Sequence, residues 1–438
     1  MLAVLSRKNR DRPGTPGARA RRRNPIVLIV PLGLAVCLSL LGDLTLYTVL
    51  GSQHASVGIS LAAVGVMLSA NRLIRIPGNP LLGMLLDRLG RRPLFLWGMA
   101  LGAISTASYG LVRGFWPFLL SRLLWGIAWT LINVGGMTMI LDVSTPDNRG
   151  HLTGMYNTWV LVGLGASPLL GGFLVDQIGF DAAMRWCAGL TALGGLIALL
   201  ALPETAPREP AAGKPQAPNW TWRPALPPGL MLAGVVYMTF QFSVEGVVLS
   251  TLNLLIGQTV GDGLRLGNLS LGVATVSGVM LGTRFLLSGL LSPWVGRRSD
   301  RSWGRLPAVL AGLGAGILSF VTLAFGVRLL PSIWVILLGV VLGAISSALA
   351  LAPLAAYVGD LAPPGRLGIM MGSYATAGDV GATLGPLVAF ALLPGLGLSW
   401  TYVLCAILFS AGALLLLREQ RVVRVAHTQA ELGEVPLG

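Results

Sequence analysis

The chain has 438 residues, of which 54% are hydrophobic and only 11% are charged. Soluble domains are about a quarter charged, so this composition excludes an ordinary soluble protein and indicates a chain that lies mostly in a lipid bilayer. The formal net charge of +14 comes largely from arginines near the ends of apolar runs, so we interpret it as a topology signal and not as a nucleic-acid-binding surface.

Apolar runs separated by turn residues predict twelve membrane-spanning helices, each close to or above the roughly 20 residues needed to cross a hydrocarbon core. They fall at 25–50, 56–82, 94–112, 117–141, 152–177, 183–202, 229–256, 269–295, 307–327, 332–358, 367–393 and 399–417. A stretch rich in Pro, Ala and charge predicts a linker between two six-helix halves. The predicted order is a basic tail at 1–24, a half at 25–203, the linker at 204–228, a half at 229–417 and a tail at 418–438.

Basic residues predict the orientation, because Lys and Arg in short loops resist translocation. Arginines cluster in both tails and in the loops after the second and eighth spans, which all fall on one side of a twelve-span chain. We therefore expect both termini in the cytoplasm, and the loops near His54, Arg113 and Asp262 outside. Heavy use of arginine over lysine fits a GC-rich bacterial genome, so a bacterial inner membrane is the expected location.

An internal repeat relates the two halves. The segment from Gly83 to Arg92 follows the second span, and a similar segment from Gly296 to Arg305 follows the eighth. The spacing Gly-x8-Gly-x4-Pro occurs in both the fifth and the eleventh spans, starting at Gly154 and at Gly372. Duplication of a six-helix unit is the simplest account.

These segments resemble signatures of the major facilitator superfamily over nearly the whole chain outside the tails. The Asp-Arg-x-Gly-Arg-Arg core after the second span resembles one signature, and Arg122-x-x-x-Gly126 in the fourth span resembles another. The fifth-span pattern resembles that of proton-coupled exporters, with Ser167 where glycine is usual. The resemblance implies an all-α membrane protein with twelve transmembrane helices in two pseudo-symmetric halves.

The loop after the second span predicts a cytoplasmic gate. Gly83 allows close helix approach, and Asp87 is suited to lie near a helix N-terminus or an arginine, so a contact there would join the halves. The alternative is that the arginines of this loop only set topology. The gate residues predicted from both halves are Gly83, Asp87, Arg88, Gly90, Arg91, Arg92, Asp300 and Arg301.

The fifth span predicts a bent and tightly packed helix. Its glycines permit close contact, and Pro168 removes a backbone hydrogen bond. Such an interface would limit leak, although plain helix packing explains the same residues. The motif comprises Gly154, Gly163, Pro168, Gly171 and Gly172.

Ionisable residues inside the spans mark the candidate pathway. Each charge at a helix centre costs roughly 2.5 to 3.5 kcal/mol on insertion scales, so it usually faces a cavity or a partner. The first helix of each half carries an acid, Asp43 or Glu245, and the second carries an arginine, Arg72 or Arg284. The repeat therefore sets acids against arginines, and we expect Asp379 to point to the cavity or to a neighbouring helix.

These acids suggest how protons could be coupled to transport. An acid beside an arginine stays ionised, whereas the same acid in apolar surroundings favours its protonated form, so a conformational change that separates the pair would promote proton uptake. The alternative is a set of static buried ion pairs. The proton-coupling residues predicted are Asp43, Glu245, Asp379 and Arg122, the last from its resemblance to a family residue linked to proton transfer. The substrate-cavity residues predicted are Tyr47, Asn71, Arg72, Arg75, Gln241 and Arg284.

We predict a secondary active transporter, working by proton-coupled antiport of small organic molecules through alternating access. One alternative is a symporter or uniporter for an anionic or zwitterionic metabolite, because the arginines suit a carboxylate or phosphate. Another is a membrane sensor or lipid-binding protein that does not transport. The sequence carries no metal-ligand spacing, phosphate loop or nucleophile elbow, so we expect no enzyme activity, no metal and no cofactor besides the coupling proton. The expected partners are a small-molecule substrate and the bilayer, without nucleic acid, and the expected state is a monomer.

Overall fold

The structure is a computed structural model that describes residues 25–144, 149–205, 228–261, 263–266, 269–361 and 367–431. Nearly all of these residues lie in twelve long helices, as the apolar runs predict. The first half comprises α1 (Pro25–Gln53), α2 (Leu61–Leu89), α3 (Arg91–Tyr109), α4 (Phe115–Val143), α5 (Arg149–Ile178) and α6 (Phe180–Ala201).

The second half repeats this order with local irregularities. Its helices are α7 (Pro228–Val260), α8 (Val273–Trp303), α9 (Arg305–Leu329) and α10 (Ile333–Asp360), followed by the helical segment Leu367–Glu431. Gly397, with φ 76° and ψ 173°, divides that segment into α11 (367–396) and α12 (398–431). The π-helical turns are Gln241–Val248, Ser299–Trp303 and Thr322–Gly326.

Glycines at positive φ mark equivalent corners of the two halves. Gly90 (φ 93°) and Gly304 (φ 76°) join the second helix of each half to the third, and Gly179 (φ 80°) and Gly397 (φ 76°) join the fifth to the sixth. Glycine adopts this left-handed region without the steric penalty of a Cβ, so a single residue can reverse the chain. The repeat seen in the sequence is therefore also present in the backbone.

Two features differ from the predicted boundaries. An antiparallel hairpin of β1 (Gly263–Leu266) and β2 (Leu269–Gly272) precedes α8, so the eighth helix begins at Val273 and not at residue 269. Helix α12 continues to Glu431, past the end of the apolar run. Residues 418–431 contain neither Gly nor Pro, so loss of hydrophobicity there does not end the helix.

Nine stretches of the described chain are long and apolar enough to cross a membrane by length and composition. One of them, Ser373–Gln420, contains parts of both α11 and α12. Helices α2 and α3 fall outside this set, because arginines and small polar residues lower their mean hydropathy. Two of these arginines, Arg72 and Arg75, are among the residues that the sequence assigned to the pathway.

The two halves meet through three helix pairs, α1 with α7, α2 with α11, and α5 with α8. Close contacts include Gly51 with Leu254 and Gly65 with Pro386, where an added Cβ at Gly65 would lie 2.6 Å from a backbone oxygen. These contacts lie in the half of the bundle that contains the C-termini of α1 and α7. The bundle is closed at this end, which is the end predicted to face outside.

Candidate functional site

A buried ion pair links α1 to α4. Nη1 of Arg122 donates to Oδ1 of Asp43 at 2.6 Å, and Nε donates to the carbonyl oxygen of Met67 on α2 at 2.9 Å. Arg122 is 0% exposed, and its guanidinium carbon lies 5.2 Å from the ring centroid of Tyr47 and 5.7 Å from that of Tyr109. The arginine is therefore held by charge, backbone and two aromatic faces at once.

The partner of Asp43 is Arg122 on α4, and not the arginine that the repeat places on the second helix of this half. Arg284 lies one residue further from Asp300 than Arg72 does from Asp87. One residue is a rotation of about 100° on a helix, so the two arginines do not occupy equivalent faces. No sequence pattern singled out Arg122 as the partner.

Arg72 instead contacts a tyrosine. Its Nε donates to the hydroxyl of Tyr47 at 3.2 Å, and its guanidinium carbon lies 5.4 Å from the ring centroid. That hydroxyl is 2.5 Å from the carbonyl oxygen of Leu68 and 2.9 Å from Oδ1 of Asn71. Tyr47 and Asn71, both predicted for the substrate cavity, therefore fix Arg72 on the first half.

In the second half, the pair suggested by the repeat is present. Nη2 of Arg284 on α8 donates to Oε1 of Glu245 on α7 at 2.8 Å, and the guanidinium carbon lies 4.3 Å from the ring centroid of Phe285. Glu245 belongs to the π-helical turn that Gln241 begins, and such turns occur often at functional sites. Val340 stands on α10 where Arg122 stands on α4, so the helix equivalent to α4 supplies no arginine to this acid.

A third pair connects the two halves. Nη2 of Arg75 on α2 lies 3.7 Å from Oδ1 of Asp379 on α11, with side chains 17% and 26% exposed. Two turns earlier on α2, Oγ of Ser69 donates to the carbonyl oxygen of Thr383 at 2.6 Å. Asp379 thus points to a neighbouring helix, one of the two directions expected for it.

The site also contains aromatic residues that sequence reasoning missed. The rings of Tyr237 on α7 and Tyr374 on α11 stack with centroids 4.2 Å apart and an angle of 15° between their planes. Tyr237 packs against Gly378, next to Asp379 in the chain. Tyr237 lies two helical turns before Glu245, and this spacing could have placed it in the site. Nothing in the sequence connects Tyr109 to Arg122.

The described residues of the predicted gate contact their own halves. Nε of Arg91 donates to Oδ2 of Asp142 at 3.2 Å, and the backbone N–H groups of Arg91 and Arg92 donate to the Glu204 carboxylate at 3.1 and 3.2 Å. Glu204 therefore caps the N-terminus of α3, which Gly90 precedes. Sequence reasoning did not single out Asp142 or Glu204.

The corresponding contact in the second half joins Arg305 to Asp300 at 2.7 Å and to Asp360, while Arg301 is exposed. Gly83 and the side chains of Asp87 and Arg88 lie outside the packing that the structure describes, so the contact expected for Asp87 stays a prediction.

Helix α5 lies between α1 and α8. Oγ of Ser167, the residue that departs from the exporter pattern, bonds to the backbone of α1 at Leu40 and Leu41, at 2.9 and 2.8 Å. On the other side, a Cβ added at Gly172 would lie 2.1 Å from the carbonyl oxygen of Ala274. The small residues here allow one helix to touch both halves.

The remaining motif residues differ in how closely they pack. A Cβ added at Gly171 would overlap Thr45, and one at Gly163 would lie 3.1 Å from Cα of Cys37, whereas Gly154 has no neighbour within 4 Å. Pro168 lies within α5, and its carbonyl oxygen would be 2.0 Å from a Cβ at Gly278 of α8. The closest approach of α5 to α8 thus lies in the half of α5 nearer Ile178.

A carboxylate caps the helix of the other half at the same end. Oδ2 of Asp176 on α5 accepts the backbone N–H of Thr275, in the first turn of α8, at 2.6 Å. Negative charge is favourable at a helix N-terminus, so this contact stabilises the closed end of the bundle. Among the described residues, no cluster of His, Cys, Asp and Glu side chains could hold a metal ion.

Comparison with known proteins agrees with this architecture. The family model described as Major Facilitator Superfamily matches residues 32–285 and 269–438. The class E tetracycline resistance protein of Escherichia coli is 27% identical over 333 residues, which cover 75% of this chain and 78% of that protein. Major facilitator superfamily domain-containing protein 10 of Mus musculus is 25% identical over 380 residues, covering 80% and 77%.

Solved structures share the fold. The human organic anion transporter MFSD10 (TETRAN) aligns with a TM-score of 0.62 at 21% identity, over 90% of this chain and 100% of that one. A bacterial homologue of the lysosomal transporter Spinster, in an inward-facing and unoccupied conformation, aligns with a TM-score of 0.71 at 18% identity, over 92% and 98%. The twelve helices therefore adopt the arrangement of two six-helix halves found in these transporters.

Proposed function

The chain belongs to the major facilitator superfamily, and we propose that this multi-pass membrane transporter is a proton-coupled antiporter that exports small organic molecules by alternating access. The Asp43–Arg122 ion pair carries the proposal, because it puts a carboxylate 2.6 Å from a fully buried arginine inside a bundle of membrane-spanning helices. Ionisable residues at this depth are expensive to bury and usually serve a pathway.

The coupling step follows from the pair. Arg122 neutralises the negative charge of Asp43 while the two are in contact. A rearrangement that withdraws the guanidinium removes this counter-ion, and loss of a nearby positive charge favours uptake of a proton by a carboxylate. Glu245 and Arg284 repeat the arrangement in the second half. Each proton supplies about 1.4 kcal/mol per pH unit and about 2.3 kcal/mol per 100 mV, enough to drive a solute uphill.

The Arg75–Asp379 pair connects protonation to movement. Its two charges belong to opposite halves, so neutralising Asp379 removes an attraction between the bodies that must separate. The Asp43 and Glu245 pairs lie within single halves, so each can separate without opening the contact between the halves. In this mechanism, protonation at three acids is translated into one change of orientation.

Direction is assigned from topology and relatives. The closed end of the bundle contains the loop of His54 and the α3–α4 turn at Arg113, both of which the arginine distribution puts outside. A transporter closed outside loads solute from the cytoplasm, which suits export. The tetracycline resistance protein of Escherichia coli supports the same direction, and a bacterial inner membrane with both termini cytoplasmic is part of the proposal.

The test is proton movement in proteoliposomes that contain a pH-sensitive dye and the purified chain. A panel of cationic, anionic and zwitterionic solutes is added to wild type, Asp43→Asn, Glu245→Gln and the control Asp181→Asn. Asp181 forms an exposed pair with Arg113 at the protein surface, so it controls for loss of a carboxylate as such.

We expect a transported solute to move protons in the opposite direction in wild type and Asp181→Asn, with at least a tenfold lower rate in the two buried variants. Solute flux that is unaffected by pH and by both buried substitutions would contradict the proposal and indicate a uniporter. Protons moving with the solute would indicate a symporter. Arg72, which has a hydroxyl as its polar partner, favours an anionic or zwitterionic solute for this second candidate.

A further inference from the structure

The charges of the central site do not balance. Within the described helices, Arg75, Arg122 and Arg284 each lie within 4.0 Å of one carboxylate, at 3.7, 2.6 and 2.8 Å. Arg72 has no carboxylate at this distance among the described residues, and its hydrogen bond goes to the neutral hydroxyl of Tyr47. With all three acids ionised, the site therefore holds one cation in excess.

Arg72 is fixed at one nitrogen and has two further nitrogens that can donate to another partner. Its Nε bonds to Tyr47 and its guanidinium lies over the same ring, while Leu68 and Asn71 hold the tyrosine hydroxyl. The two terminal nitrogens make no hydrogen bond to the described residues. A guanidinium fixed through Nε presents its remaining N–H groups as a planar fork, which matches the two oxygens of a carboxylate.

Arg72 belongs to a helix that packs against the other half. It lies on α2 three residues before Arg75, so the two side chains share a face next to the ion pair that reaches α11. Glu245 on α7 and Asp379 on α11 are paired with Arg284 and Arg75, so neither neutralises Arg72 at contact distance. An anion bound at Arg72 would touch the surface at which the halves separate.

We propose that Arg72 is the anion-binding residue of the transport site and that the exported solute carries a carboxylate, which supplies the missing negative charge. This inference rests on the proposed function, because it concerns the solute that the proton-coupled cycle moves. A cationic solute would add to the excess positive charge in a poorly solvated site, and a neutral one would leave the excess unpaired.

The test compares solutes that differ only in charge. Binding of aromatic carboxylates and of their primary amides, such as 2-naphthoate and 2-naphthamide, is measured on the full chain in lipid nanodiscs. The proteins are wild type, Arg72→Gln, Arg72→Lys and the control Arg297→Gln. Arg297 is exposed near the end of α8, where its Nε bonds to the carbonyl oxygen of Pro293, so the control removes an arginine that lies away from the site.

We expect wild type and Arg297→Gln to bind carboxylates at least tenfold more tightly than amides, and Arg72→Gln to lose this preference. Arg72→Lys keeps the charge without the fork, so it should fall between them. Thermal unfolding of each variant checks that it is folded. Equal binding of both members of each pair by wild type would overturn the inference without any variant, as would unchanged selectivity in folded Arg72→Gln.

Transport measurements distinguish failure of this inference from failure of the proposed function. Arg72-dependent carboxylate binding with solute flux that ignores the pH gradient supports the anion site and contradicts proton-coupled export. Proton-coupled export of a cationic solute at equal rates in wild type and Arg72→Gln supports proton-coupled export and contradicts the anion site.

Discussion

At the scale of single residues, the Asp43–Arg122 pair is better explained by function than by stability. Two apolar residues of similar volume often stabilise a protein as well as a buried ion pair does, because desolvation offsets the attraction. Arg122 also bonds to Met67 and Tyr109, while its Nη2 is buried without a hydrogen-bond partner among the described residues. A pair that adds little net stability but fixes a charge inside a membrane suits a switchable site.

Substituting one member of this pair should lower the stability of the fold more than substituting both. Arg122→Gln leaves Asp43 without its counter-ion, and loss of one partner of a buried pair typically costs about 3 to 5 kcal/mol. We expect Asp43→Asn combined with Arg122→Gln to recover part of that loss. Thermal unfolding of wild type, the two single variants and the double variant in detergent gives the coupling between them.

Losses that simply add in the double variant would mean that the two side chains act independently. That result would contradict the ion pair as a coupled unit, whatever the absolute stability of each variant.

At the scale of elements, α5 has the tightest contact between the halves. Its residues from Ser167 to Asp176 touch α1 through a hydroxyl and α8 through glycines and a helix cap. The other end of α5 begins near Gly154, which has open space around it. The contact is therefore graded along one helix, and rotation about its tight end could open the other.

Alanine at Gly172 should push the halves apart at the closed end. The new Cβ would lie 2.1 Å from a backbone oxygen of α8, which cannot move as a side chain can. The matched control is Gly154→Ala, which has no neighbour within 4 Å. Ser56 and Leu330 are exposed, one in each half. Cysteines introduced at these two positions carry spin labels, and double electron–electron resonance measures the distance between them.

We expect Gly172→Ala to lengthen this distance in part of the population and Gly154→Ala to leave the wild-type distribution. A distribution in Gly172→Ala that matches wild type would contradict a sealing role for this contact. The native cysteines Cys37, Cys187 and Cys405 are buried, so they should not compete for the label.

The sequence was sufficient for the elements but not for their partners. Apolar runs of span length predicted all twelve helices, since a bilayer imposes that length on each of them. The Asp43–Arg122 contact could not be predicted, because it depends on how α4 packs between α1 and α2. A Cβ at Gly126 would lie 2.5 Å from the Asn71 carbonyl oxygen, so one missing side chain brings Arg122 to the acid.

The internal repeat predicted which helices carry these charges, but not which charges pair. It placed an acid and an arginine on the first two helices of each half, but among these residues only Glu245 and Arg284 are in contact within their half. The π-helical turn around Glu245 could not be predicted either, because no residue type in the sequence marks it. Duplicated sequences conserve helix order more faithfully than the direction of individual side chains.

At the scale of the whole molecule, the closed end and the arginine-rich end lie on opposite sides of the bundle. Contacts across the halves occur at Gly51, Gly65 and Gly172, whereas the arginine clusters follow α2 and α8 at the other end. If arginines mark the cytoplasmic side, the structure is closed to the outside.

Cysteine labelling tests this orientation. Ser56, between α1 and α2, and Ser302, at the end of α8, are both exposed. We expect Ser56→Cys in right-side-out membrane vesicles to react with a membrane-impermeant maleimide, and Ser302→Cys to react only after permeabilisation. The opposite pattern would invert the topology and, with it, the assignment of export.

The central claim is that buried acids exchange protons for solute, and the most direct measurement separates exchange from coupling. Proteoliposomes with wild type or Asp43→Asn are given either a pH gradient or a solute gradient without one. We predict that Asp43→Asn retains solute-for-solute exchange but loses accumulation driven by the pH gradient, because its side chain can no longer release a proton. Accumulation driven equally well in both proteins would contradict the account.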